Sequence, residues 1–99
     1  MEVKVNAIKF DADDRLVEFV EKKANKLSKL CDEITEIDVK LKVEKPAVNG
    51  NREAAITLVM PKEQMFADKV ADTFEEAVTQ ALLALENQVS RYKEKQRGK

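Results

Sequence analysis

The sequence predicts a two-layer α+β domain in the order β-α-β-β-β-α, a four-stranded sheet with two helices packed on one face. Three observations lead there. Ile37, Val39, Leu41 and Val43 alternate with Asp38, Lys40, Lys42 and Glu44, and a period of two sends apolar side chains to one face and charges to the other. One stretch before this strand and one after it carry apolar residues at three- and four-residue steps, the stripe of a helix packed on a core. The charged outer face of the strand leaves one side of the sheet to be covered, so both helices belong on the same side.

In chain order, Val3, Val5 and Ala7 alternate against Glu2, Lys4 and Asn6, which predicts a first strand over about residues 2–9. Ile8 and Phe10 cross the pattern near its end, where a slip or bulge would fall. Asp11, Asp13 and Asp14 then open a helix, since carboxylates there accept from its free N–H groups and suit the positive end of its dipole. Leu16, Phe19, Val20, Ala24, Leu27, Leu30 and Cys31 form its apolar stripe, through about residue 31. Glu18 and Glu21 come early on its outer face; Lys22, Lys23, Lys26 and Lys29 come late.

After the central strand, Pro46 and Asn49-Gly50 mark a turn. Ala54, Ile56, Leu58 and Met60 fall on one face of a third strand, and residues 64–71 form a shorter fourth. Asp72 or Thr73 caps the last helix, with Thr73 and Glu76 at capping-box spacing. Its stripe is Phe74, Val78, Ala81, Leu82, Leu85, Val89 and Tyr92, and its end carries Arg91, Lys93, Lys95, Arg97 and Lys99. The first two strands are expected to be parallel, joined by a right-handed crossover, and the last three to form an antiparallel meander.

Composition sets the outer bounds. Ninety-nine residues make one domain, 1–99, large enough for a core of its own. A net charge of −1 gives no global attraction to nucleic acid, so any electrostatic function rests on how charge is distributed. One cysteine excludes an internal disulfide and suits a reducing, cytoplasmic setting. The charged N-terminus is no signal peptide, and no apolar run approaches the ~20 residues of a membrane span.

Catalytic chemistry is scarce. The chain has no histidine, the commonest general base and metal ligand. Cys31 lies on an apolar stripe near a helix end and reads as a small core residue. Asp11, Asp13 and Asp14 lack the glycine and bidentate glutamate of a calcium loop and read as a cap. No phosphate-binding loop or nucleophile elbow occurs. The expectation is no enzyme, no cofactor, no metal and no small-molecule substrate.

Two basic clusters remain, Lys22, Lys23, Lys26 and Lys29 on the first helix and Arg91, Lys93, Lys95, Arg97 and Lys99 on the second, where Arg91, Lys93 and Lys95 are the candidate RNA-binding residues. Taken singly, each is more often a solvated face than a site. In the expected topology the helices lie side by side and parallel, each acidic at its start and basic at its end. Their basic ends then converge at one pole, with acid at the other, an arrangement suited to a polyanion held through its phosphates.

These residues resemble the ribosome hibernation-promoting factors and the related ribosome-associated inhibitor A, the sigma-54 modulation protein family. The resemblance rests on LVEFVEKKANKL at Leu16–Leu27, LKVEK at Leu41–Lys45, TFEEAV at Thr73–Val78 and RYKEK at Arg91–Lys95, with Gln88 upstream. It implies the same β-α-β-β-β-α fold, and binding to the small ribosomal subunit in the channel used by messenger and transfer RNA, holding idle ribosomes inactive under stress. By motif position Lys23 and Lys26 match the family's basic pair on the first helix, and Arg91, Lys93 and Lys95 its basic end on the second. Members often carry bases in mid-helix where this chain has Ala84 and Asn87, with Glu86 nearby; Lys22 and Lys29 are extra. The chain resembles the short form, without a C-terminal dimerisation domain, and is expected to be a cytoplasmic monomer when free. The alternative is a protein-interaction module of the same fold whose lysines only face solvent.

Overall fold

The computed structural model describes residues 2–8, 12–43 and 52–97, with side-chain surroundings to Lys95. The elements are β1 Glu2–Ile8, α1 Asp14–Ser28, β2 Glu36–Val43, β3 Arg52–Val59, β4 Gln64–Ala71 and α2 Phe74–Arg97. They form one sheet in the order β1-β2-β3-β4, with β1 parallel to β2 and the other neighbours antiparallel. Phe10, Asp11, Pro46 and Asn49-Gly50 lie outside the described residues.

Register stacks the apolar positions in rows across the strands. Val3, Ile37, Leu58 and Met65 make one row, and Val5, Val39, Ile56 and Ala67 the next. Ile37, Val39, Leu41, Ala54, Ile56 and Leu58 are fully buried beneath the helices, whereas Lys40 and Lys42 are exposed on the open face. Among the described residues pairing runs unbroken to Ile8 opposite Lys42, with no slip or bulge, and Ile8 faces outward.

Both helix starts are capped by side chains. Asp13 Oδ1 accepts from the backbone N–H of Leu16 at 2.9 Å, and Thr73 Oγ1 from that of Glu76 at 3.1 Å. α1 stops at Ser28, earlier than the expected end near residue 31. The chain tightens there through i→i+3 bonds, Lys29 N to Lys26 O, Leu30 N to Leu27 O and Cys31 N to Ser28 O. Tighter winding turns Leu30 out of the stripe, leaving it 41% exposed, while Cys31 stays buried.

The hand of the first crossover differs from expectation. Gln88 Nε2 donates to the carbonyl of Phe66 on β4 at 3.1 Å, and Lys93 Nζ to that of Leu30, just past α1, at 2.7 Å. Five residues place these side chains about 140° apart around α2, on opposite flanks of its buried stripe. Since α2 runs back along β4, α1 on the Lys93 flank makes the β1-α1-β2 crossover left-handed, against the usual preference. The stripe itself supplies the reason. Buried Leu82 and Val89 lie toward the Lys93 flank and need α1 over them; Ala77, Ala81 and Ala84 lie toward the β4 edge and need less cover.

Candidate RNA-binding face

The two helices lie against each other and parallel, and their C-terminal ends meet. Three side chains fix the meeting. Lys93 gives its ammonium to the free carbonyl of Leu30, a cation placed at the negative end of α1. Tyr92, half-buried, donates its hydroxyl to the Glu33 carboxylate in the loop after α1. That bond pushes the phenol up to about 12, with burial and the Glu33 charge adding to it. On the other flank Gln88 satisfies an outward carbonyl of edge strand β4. Near Lys93 the helix passes the end of the sheet: Gln88 is level with Phe66, and about four further residues at ~1.5 Å each match the two strand residues that remain.

Of the residues expected from sequence, Lys22, Lys26, Lys29, Arg91, Lys93 and Lys95 are exposed. Lys23 is half-buried, with its ammonium 5.6 Å from the centroid of the Phe19 ring, because its stem lies beside the apolar stripe. Among the described residues no carboxylate stands within ion-pair distance of any of these seven cations; an ion pair of Lys4 with Glu36, at 3.5 Å, is on the sheet. Their charge is not neutralised by a carboxylate among the described residues. Lys93 already spends one of its donors on α1.

The helix ends bring together Lys29 and Lys93, which line a shallow recess with Leu30, Cys31 and Asp32. Arg91 and Lys95 fall on the far flank of α2, over the start of β4, so the second cluster is split by the helix. Left-handed connection turns Phe19, Lys23 and Lys26 toward the groove between the helices. Seven residues back from the Leu30–Lys93 contact, Lys23 and Glu86 come level across that groove. The expected separation of poles is incomplete. Asp32, Glu33 and Glu63 stand among the basic ends, since the turns that close this end of the sheet also supply acids. Glu33, Gln88 and the hydroxyl of Tyr92 had no local signal; only the fold shows that they place the bases.

No helix among the described residues is long and apolar enough to cross a membrane. Among those residues no group of three His, Cys, Asp or Glu side chains could hold a metal.

A family model described as sigma 54 modulation protein / S30EA ribosomal protein matches residues 3–97. Among solved structures, a ribosomal subunit interface protein from Coxiella burnetii is similar, with a TM-score of 0.77, 24% identity, and coverage of 94% of this chain and 98% of that one. The N-terminal domain of Protein Y from Thermus thermophilus is similar at a TM-score of 0.78 and 24% identity, covering 93% of this chain and 99% of that one. At that identity both show a shared fold. No curated protein sequence matches the chain significantly.

Proposed function

The chain belongs to the sigma 54 modulation protein / S30EA ribosomal protein family, a family of ribosome-associated, non-enzymatic factors, and from that premise we propose how it associates with the ribosome. It binds the small ribosomal subunit in the messenger and transfer RNA channel, blocks translation there by occupancy, and keeps idle cytoplasmic ribosomes inactive. The observation that carries this reading is the meeting of two helix ends whose exposed cations have no carboxylate partner among the described residues. Lys22, Lys23, Lys26, Lys29, Arg91, Lys93 and Lys95 grip ribosomal RNA through its phosphates, and the domain acts as a monomer that needs no cofactor. Phosphate contacts supply affinity without reading sequence, and structured RNA supplies the shape.

Co-sedimentation of the purified protein with isolated small subunits over a range of salt tests it. Counterion release makes log affinity fall linearly with log salt, by about 0.7–0.9 per phosphate contacted. The expected result is binding to the small subunit with a slope of about three or more, lost in competition with messenger RNA and initiator transfer RNA. Binding that ignores salt, or that favours the large subunit, would overturn it.

A further inference from the structure

On the flank of α2 away from α1, a cleft of about 600 Å³ opens between the start of β4 and the last turns of the helix. That is the size range of pockets for small organic ligands, ~300–1,000 Å³, and a backbone phosphate alone needs no such space. We propose that this cleft takes one unstacked nucleotide of ribosomal RNA, with guanine as the preferred base. The proposal rests on the RNA-binding reading above and adds a base-specific contact to it.

Each wall has a matching role. Arg91 and Lys95, one helical turn apart, line one side and supply positive charge for the nucleotide's phosphate. Tyr92 and the buried Met65 supply apolar surface for the base. The Tyr92 ring is held at both ends, by the helix backbone and by its hydroxyl bond to Glu33, so little freedom is lost when a base stacks on it. Glu63 also lines the cleft, with no cation within ion-pair distance among the described residues. A carboxylate beside two cations repels phosphate, which makes it a poor component of a purely electrostatic patch. It is a good acceptor for paired N–H donors, and the Watson–Crick edge of guanine offers N1–H and N2–H₂ side by side. Gln88 spends its amide N–H on Phe66 and keeps its carbonyl oxygen as a further acceptor.

The test uses four RNA pentamers, UUGUU, UUAUU, UUCUU and UUUUU, titrated into the whole protein, with subunit pelleting measured in parallel. The wild type should bind UUGUU at least fivefold tighter than UUUUU, with shifts of the Met65 methyl and Tyr92 ring resonances. Glu63→Gln should cut that preference below twofold while leaving UUUUU affinity equal or higher, since a repulsive charge is gone. Tyr92→Phe keeps the ring and should keep the preference; Tyr92→Leu should lose about tenfold for UUGUU. Equal affinity for all four pentamers, binding without a Met65 shift, or a preference that survives Glu63→Gln would each overturn the cleft. Pelleting separates the two readings. Normal pelleting without a guanine preference removes the cleft alone. Failure of the wild type to pellet removes the ribosomal assignment, and the pentamers still decide the cleft.

Discussion

Leu41 sits in the sheet between Ala7 on β1 and Ala54 on β3, directly opposite both. The row ends in the exposed Lys69 on β4, so Leu41 is its one large buried side chain, fully out of solvent between two alanines. Leu41→Ala would place three alanines in line on β1, β2 and β3. The cost should lie in the upper part of the ~2–5 kcal/mol range for such truncations. Lys40→Ala, one residue earlier and exposed on the open face, should change stability by no more than about 0.5 kcal/mol. Denaturant melts of the two variants check the pair, and equal losses would contradict the register. This contrast is visible in the bare sequence, because strict alternation assigns each residue of β2 to a face without knowledge of its partners.

At the scale of elements, sequence pattern is a weaker guide. Strands and helices were legible because their periods are local, and capping by Asp13 and Thr73 because a cap lies within three residues of what it caps. The end of α1 was not: Leu30 continues the apolar spacing, but i→i+3 winding turns it outward. Nor was the hand of the crossover, which depends on which flank of α2 carries the larger apolar side chains and what covers them. The cleft beside α2 joins residues 63–65 to residues 88–95, a proximity only tertiary structure creates. The tie between α2 and the loop after α1 can be read directly, since Tyr92 is the chain's one tyrosine. Its phenol is raised from 10.0 to about 12 in the fold, first by the Glu33 bond. The folded state therefore favours the protonated hydroxyl. The stability this adds is fully present below pH 10, the unfolded value, and is lost as pH rises toward 12. Titration of the near-ultraviolet phenolate absorbance should show a midpoint close to 12 in the wild type, moving down toward 10 in Glu33→Ala. A folded wild type that titrates near 10 would mean the tie is not made in solution.

For the molecule as a whole, position matters more than total charge. The net charge of −1 offers a polyanion no long-range attraction, and beyond about 8–10 Å salt screens what remains. Binding through the helix ends must come from cations close to the phosphates, so the effect of a charge change should depend on where it is made and not on the net charge alone. Reversing Lys23 and Lys26 to Glu removes two attractions at the groove and adds two repulsions beside Glu86. Affinity for the small subunit should fall at least tenfold, about 1.4 kcal/mol, and the salt slope should become shallower by about one to two units. Reversing Arg91 and Lys95 should do the same from the far flank of α2. If both flanks touch one RNA surface, the two losses should combine without either pair compensating for the other. Glu75 and Glu76 lie in the first turn of α2, at the opposite end of the helix, and reversing them to Lys should not weaken binding. If total charge governed binding, that more basic variant would bind more tightly; unchanged affinity assigns the effect to position. Melting curves establish that each variant is folded before pelleting is compared. A folded Lys23/Lys26 reversal that still pelleted with wild-type affinity and salt slope would remove the inter-helix groove from the binding face, while family membership would stand.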